Sequence, residues 1–345
     1  MKKVGIGLAV VLVVALALYL RFRHPSGPTE TAYAGNREVT IWSTTAQVRE
    51  PVATAKYGEK LVVLGRSQDQ VQVKTVSGAV GWISEGDLLS ADLWQRAADL
   101  EAMAGKSPIE AEGHTHAISN LHVEAGRESP RVRQLSKGVQ LDVYTRKVAD
   151  APTPSSAAAA TVPAVEKEGS GEQPTETPTP AAKKEDWWLV RAHLADQTTV
   201  SGWILGRFID LDVPAPLPDY ASAAGMRSVA WFELDKVAGA NGGAKPQYLL
   251  VGDRGPEGQP CDFTQMRVFT WGAQKQRYET AYVESNLCGK LPVHITRAAK
   301  PGGDVLFAFQ DLSDGAQRTY RMERTIVRRV REGGSPPAKR KHVHG

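Results

Sequence analysis

An internal repeat constrains the fold of this chain more than any other feature. Residues 37–90 and 117–213 carry the same short motifs in the same order. The string KYGEKLVVL in the first stretch corresponds to SKGVQLDVY in the second, DQVQV corresponds to DWWLV, and both stretches then reach the tripeptide GWI. Repetition of one series of motifs predicts one fold that is used twice.

Both stretches consist of short segments in which apolar and polar residues alternate, such as EVTIWST, KLVVLG and QVQVKTV in the first. This alternation is typical of β-strands buried on one face, and the glycines between the segments are typical of turns. We therefore expect a small antiparallel β-barrel in each stretch. Residues 226–331 contain further segments of this kind, which predicts a C-terminal antiparallel β domain.

The motif series resembles the bacterial SH3-like (SH3b) family, whose members read roughly N-V-R-x-G-P, G-x-x-V-x-V, W-x-K-V and G-W-V. The first copy keeps the arginine of this pattern as Arg49, where the second copy has Glu124, and it has Gln70 in place of the family's tryptophan. The resemblance implies two SH3-like modules. It also implies a ligand bound in a groove lined by aromatic side chains: peptidoglycan, its stem peptides or a protein partner.

Four tryptophans and Arg49 are the candidate ligand contacts. Trp82 and Trp203 each follow a glycine at matching positions, which favours a core role for both, with a ligand platform as the alternative. Trp187 and Trp188 are adjacent, so in a strand they point to opposite faces. We expect one of this pair in the core and the other near the surface, where it would contact a ligand.

The N-terminus carries an uncharged run of 17 residues, VGIGLAVVLVVALALYL, over positions 4–20. A helix of this length approaches the roughly 30 Å hydrocarbon thickness of a membrane. We expect a transmembrane anchor over 1–24 and a polar stalk over 25–36, with the bulk of the chain outside the cytoplasm. The alternative is a cleaved signal peptide, for which Ala32 and Ala34 supply an Ala-x-Ala pattern.

Composition and periodicity place the remaining boundaries. Leu93, Ala97, Leu100 and Met103 recur at helical spacing. A stretch rich in Pro, Ala, Thr and Glu interrupts the second repeat and predicts disorder. The expected organisation is therefore barrel 37–90, helical connector 91–116, barrel 117–213 with a disordered insertion over 149–184, linker 214–225, β domain 226–331 and basic disordered tail 332–345.

The chain has two cysteines, Cys261 and Cys288, and no CxxC pair, which excludes zinc ribbons and thioredoxin-like sites. In an oxidising compartment we expect these two residues to form a disulfide. Two unpaired buried thiols are the alternative, and they would accompany a protein that faces the cytoplasm.

No catalytic constellation emerges from the sequence. Cys288 precedes His294 without an evident orienting group, so we expect no cysteine nucleophile there. His114, His116 and His122 cluster in a loop-like region, and we expect solvated histidines rather than a metal site. The formal net charge of +4 lacks the clustered footprint of a nucleic-acid binder, and no phosphate-binding glycine pattern occurs, so we expect neither nucleic acid nor a cofactor.

The sequence therefore predicts a mainly β fold class: an N-terminal transmembrane helix, two small SH3-like β-barrels joined by a short helix, and a C-terminal antiparallel β domain. The functional hypothesis is a membrane-anchored, envelope-facing protein, not an enzyme, that binds or scaffolds peptidoglycan or an envelope protein. Two alternatives stay open. One is a cytoplasm-facing interaction module, and the other is an enzyme with an unrecognised site in 226–331.

Overall fold

A computed structural model describes residues 30–152, 183–239, 243–298 and 303–330. The chain divides into two units, the first ending at Ala91 and the second beginning at Asp92. The first unit is one antiparallel sheet of seven strands in the order β3-β2-β6-β5-β4-β1-β7. Its strands are β1 (Thr31–Ala34), β2 (Glu38–Trp42), β3 (Pro51–Lys56), β4 (Lys60–Ser67), β5 (Gln70–Lys74), β6 (Val80–Ser84) and β7 (Leu88–Ser90).

The second unit begins with most of helix α1 (Ala91–Ala104) and contains a sheet built like that of the first unit. The strand order is β10-β9-β13-β12-β11-β8-β14, which reproduces the order of the first sheet position by position. Its strands are β8 (Ala111–Thr115), β9 (Ser119–His122), β10 (Arg131–Leu135), β11 (Gln140–Asp150), β12 (Lys184–His193), β13 (Thr199–Leu205) and β14 (Ile209–Leu211).

The glycine of each Gly-Trp pair allows two strands to approach closely. A Cβ at Gly81 would lie 2.6 Å from the carbonyl oxygen of Trp42, and a Cβ at Gly202 would lie 2.9 Å from the Cβ of Leu121. Any other residue would push β6 from β2, or β13 from β9. The Gly-Trp dipeptide therefore marks the same close approach of two strands in both sheets.

A third seven-stranded sheet completes the second unit, and its strands pair in chain order as a meander. Its longest strand, β18 (Arg277–Arg297), continues through Pro292, because this proline falls where the pairing with β19 (Val305–Asp311) shifts register and no amide donor is needed. The elements are α2 (Leu217–Ala223), β15 (Arg227–Ala238), β16 (Ala244–Asp253), β17 (Phe263–Gly272), β18 (Arg277–Arg297), β19 (Val305–Asp311), β20 (Gln317–Glu323) and β21 (Ile326–Val330).

The fold-class prediction is wrong in its membrane-spanning helix. No helix in the described part of the chain is long and apolar enough to cross a membrane. The longer of the two described α-helices, α1, has 14 residues and buries only two alanines, whereas a spanning helix needs about 20 apolar residues. The run assigned to that helix, 1–24, lies outside the described residues. The observed fold is mainly β, with three antiparallel sheets.

Several predicted boundaries also differ from the structure. Part of the expected stalk forms β1, which pairs with both β4 and β7 and buries Ala32 and Ala34. The expected connector contributes β8 to the second sheet. The ends of the expected insertion extend β11 and β12, and its central part, 153–182, lies outside the described residues, as does the tail 332–345.

Buried charge joins the second and third sheets. The guanidinium of Arg146 in β11 is 4% exposed and donates to Asp186 Oδ1 at 2.5 Å and to Asp262 Oδ1 at 3.1 Å. It also donates to the carbonyl oxygens of Gln259 at 2.7 Å and Cys261 at 3.0 Å. The loss of one partner would leave a buried charge unpaired, which is costly. The network therefore disfavours any movement that separates the second sheet from the third.

The predicted disulfide is present between Cys261 and Cys288, whose Cα atoms are 4.7 Å apart. Cys261 lies just before β17 and Cys288 lies within β18. The bond therefore anchors the loop whose carbonyl groups accept from Arg146.

Replacing both cysteines by serine should lower the free energy of unfolding by about 3 kcal/mol, because the crosslink restricts the unfolded chain. Urea denaturation measures this change, and reduction of the wild type should reproduce it. The unreduced, denatured wild type should show no free thiol in a thiol-titration assay. Two titratable thiols, or an unchanged midpoint, would contradict the assignment.

Glu110 is a second buried ionisable group between the two sheets. It is 2% exposed, its backbone N–H donates to the carbonyl of Val143, and its Oε2 accepts from the N–H of Val293 at 3.2 Å. Its Oε1 is buried and has no partner among the described residues. Burial raises the pKa of Glu110 from its usual 4.5 to about 7, and the charge of Asp262 adds to the increase.

This raised pKa predicts a pH dependence of stability. The folded protein retains a proton that the unfolded chain releases, so unfolding becomes easier as the pH rises from 4.5 to about 7. The stability of the wild type relative to Glu110→Gln should fall by up to about 3 kcal/mol across this range. Urea titrations at several pH values measure the difference. The exposed Glu112→Gln variant is the matched control, and parallel curves for wild type and Glu110→Gln would refute the assignment.

Candidate functional site

Two tryptophans lie side by side on one face of the first sheet. Trp42 at the end of β2 pairs directly with Trp82 in β6. Because successive side chains alternate between faces, the neighbouring Ile41 and Ile83 point into the core and are fully buried. Trp42 and Trp82 point to the opposite face and are half-buried. We refer to the face formed by Thr40, Trp42, Gln70, Trp82 and Ser84 as the tryptophan face.

Arg49 lies over this face. Its guanidinium carbon is 4.4 Å from the ring centroid of Trp42, a cation–π distance, and the side chain is exposed. A shallow pocket of about 240 Å³ opens beside the pair, with Glu38, Thr40 and Gln70 among its lining residues. The Oε1 atom of Gln70 is buried and has no hydrogen-bond donor among the described residues. The pocket thus combines an aromatic surface, a cation and an unsatisfied acceptor.

The corresponding face of the second sheet is covered. The repeat places Trp187, Trp203 and Leu205 at the positions of Gln70, Trp82 and Ser84. These three side chains belong to a buried cluster that includes Ala104 of helix α1, with Leu100 packed against it. The core role expected for both glycine-linked tryptophans holds for Trp203, which is 2% exposed and not available as a ligand platform. It is wrong for Trp82, which is half-buried and lies on the opposite face from the core residue Ile83.

The expected division of the Trp187–Trp188 pair is wrong. The two indoles do point to opposite faces, but Trp187 is 2% exposed and Trp188 is 9% exposed. Trp187 lies under α1 with its ring 5.2 Å from that of His122, and Trp188 occupies the position of core residue Val71. Both faces of the second sheet are covered in this region, so neither tryptophan forms an exposed surface.

The histidines considered as metal ligands have other partners. His114 Nδ1 lies 2.9 Å from Asp212, His116 Nδ1 lies 2.9 Å from Asp210, and His122 Nδ1 lies 2.7 Å from the carbonyl oxygen of Ser129. Within the described ranges, no group of three or more His, Cys, Asp or Glu residues could hold a metal ion.

The thiol chemistry considered for Cys288 is also blocked. Its sulfur is bonded to Cys261 and is not available as a nucleophile beside His294.

The structure therefore brings together two of the predicted contacts, Trp82 and Arg49, and adds Trp42, Gln70 and Glu38. The missed signal was Trp42 itself, which ends the alternating segment EVTIW on the same side as Glu38 and Thr40. Its pairing with Trp82 joins residues 40 positions apart, so local sequence alone did not indicate it.

Comparisons with known proteins assign no family. No protein-family model matches the sequence, and no curated protein matches it. Solved structures with a weak likeness include an NlpC/P60 family protein from Bacillus cereus, at 12% identity over 58% of this chain and 64% of that one, with a TM-score of 0.21. NlpC2 from Trichomonas vaginalis is 11% identical over 89% of this chain and 98% of that one, with a TM-score of 0.17.

NlpC1 from Trichomonas vaginalis is 10% identical over 86% of this chain and 89% of that one, with a TM-score of 0.18. The alignment with the Bacillus cereus protein spans less than two thirds of that protein's length. At TM-scores near 0.2 these likenesses support neither a fold assignment nor a function.

The two matching tryptophans should respond differently to truncation. Trp203→Ala should lower the free energy of unfolding by about 3–5 kcal/mol, because it removes a fully buried indole from a packed cluster. Trp82→Ala should cost less than half as much, because its side chain is only half-buried. Urea denaturation followed by far-UV circular dichroism measures both changes, and equal losses would show that Trp82 is also a core residue.

Proposed function

We propose that the protein is a non-catalytic binding protein of the cell envelope and that its ligand is bound on the tryptophan face of the first sheet. One observation carries this proposal. Trp42, Trp82 and Arg49 remain partly exposed on a face whose counterpart in the second sheet lies under helix α1. A partly exposed aromatic pair with a stacked cation and an unpaired acceptor is typical of a binding surface.

The proposal takes the two repeated sheets to be SH3-like modules. The shared motif series and the identical strand order support a common origin for both. The resemblance to SH3b modules suggests peptidoglycan or its stem peptides as the ligand, with a protein partner as the second candidate. The pocket suits such a ligand, because Gln70 and Glu38 can hydrogen-bond amide and hydroxyl groups while Trp42 packs against apolar surface. Trp82 extends the aromatic surface beside the pocket, since it pairs with Trp42 across the two strands.

The disulfide supports a location outside the cytoplasm. Bonds of this kind persist in oxidising compartments and are rare where glutathione and thioredoxin keep thiols reduced. The Cys261–Cys288 bond connects a loop to a strand of the third sheet, next to the buried Arg146 network, so its reduction would disturb the fold.

Cosedimentation of the full-length protein with purified peptidoglycan sacculi tests the proposal at low and high salt. Wild-type protein should sediment with the sacculi in both conditions, because contacts made by the tryptophan face are screened little by salt. Trp82→Ala should reduce the bound fraction at high salt at least about fivefold, which corresponds to roughly 1 kcal/mol of binding energy. Trp271→Ala removes another half-buried indole, in the third sheet, and should leave binding unchanged.

Circular dichroism of each variant shows whether the fold persists. Binding that high salt abolishes would reflect only the basic character of the chain and would contradict the proposal. Absence of binding in both conditions would remove peptidoglycan as the ligand and favour the protein partner, which crosslinking in intact cells would then identify.

A further inference from the structure

A larger cavity lies inside the second unit, between the second and third sheets. Its volume is about 520 Å³, within the range of small-molecule sites. Val143, Trp188 and Leu211 form an apolar wall from the second sheet, and Val229 of β15 faces it from the third. The loop between β16 and β17 contributes Glu257.

The charges that line this cavity are unbalanced. Three arginines and five carboxylates line it, which leaves an excess of two negative charges. All three arginines are already paired with carboxylates. Arg146 donates to Asp186 and Asp262, Arg207 pairs with Glu185, and Arg227 lies 3.3 Å from Asp253 and 3.7 Å from Asp186. The lining therefore has little free positive charge to offer a ligand.

Two lining groups lack partners. Glu257 is half-buried, and in the described part of the chain it takes part in no ion pair or hydrogen bond. Trp188 is 9% exposed and lines the cavity, and its indole Nε1 makes no hydrogen bond to a described residue. This edge of the indole faces Gly206, another lining residue, where an added Cβ would lie 3.1 Å from Nε1. A partly desolvated carboxylate is stabilised by a cation, and an unpaired indole N–H is stabilised by an acceptor oxygen.

We propose that this cavity binds a ligand with an alkylammonium group and an amide oxygen, such as a lysine-type side chain of a peptide. The ammonium group would pair with Glu257, the alkyl stem would pack against Val143 and Leu211, and the indole N–H of Trp188 would donate to the amide oxygen. The site goes beyond the proposed function, because it lies in the second unit and shares no residue with the tryptophan face.

Nuclear magnetic resonance of the full-length, nitrogen-15-labelled protein tests this site. The indole cross-peak of Trp188, assigned by its loss in Trp188→Phe, is followed during titration with Nα-acetyl-lysine amide. A saturable shift with a dissociation constant in the millimolar range is expected for a ligand of this size. Nα-acetyl-norleucine amide, which has the apolar stem without the ammonium group, should bind at least about tenfold more weakly.

Glu257→Gln should weaken binding of the lysine probe about tenfold and leave the norleucine probe unchanged. Glu128→Gln, which makes the same change at an exposed site of the same unit, should alter neither. Equal binding of the two probes, tighter binding of Nα-acetyl-glutamate amide, no effect of Glu257→Gln, or no saturable shift at tens of millimolar probe would each overturn the proposal. Because Trp82 plays no part in this titration, its result is independent of the sacculus experiment.

Discussion

Two pairs of strands approach each other so closely that only glycine fits between them. At Gly81 and at Gly202 a methyl group would overlap the neighbouring strand. This approach sets the register in which β6 meets β2 and β13 meets β9. It also places each following tryptophan, Trp82 or Trp203, on the opposite face of its sheet from the next residue, Ile83 or Ile204. The order of both repeated sheets, and the position of the tryptophan face, depend on this contact.

The two copies of the repeat share one strand order but differ in which side chains are covered. In the second copy, Trp187, Trp203 and Leu205 are covered by helix α1 and contribute hydrophobic burial to the fold. In the first copy, the polar residues Gln70 and Ser84 replace two of these side chains, and the remaining tryptophan stays half-buried. A position that supports stability in one copy is therefore available for binding in the other.

Charge, rather than apolar contact alone, specifies how the second and third sheets meet. The buried guanidinium of Arg146 satisfies two carboxylates and two carbonyl groups, and the adjacent disulfide anchors the loop that supplies those carbonyls. The net stability that such a network contributes is small, because desolvation offsets much of the attraction between the charges. Beside this network the two sheets leave a cavity in which Glu257 and Trp188 have unused hydrogen-bonding capacity.

The sequence by itself determined the elements that depend on local pattern: the β-strands, the helix at 91–104, the existence of a repeat and the cysteine pair. Periodicity and spacing report such features because each depends on nearby residues. Only the tertiary structure decided which aromatic side chains are exposed. Trp188 alternates with Trp187 as a strand requires, yet both are buried, because α1 covers one face of their sheet and the core and third sheet enclose the other. The Trp42–Trp82 pair and the cavity beside Arg146 likewise join residues far apart in the chain, and no local pattern encodes which distant surface covers a given strand.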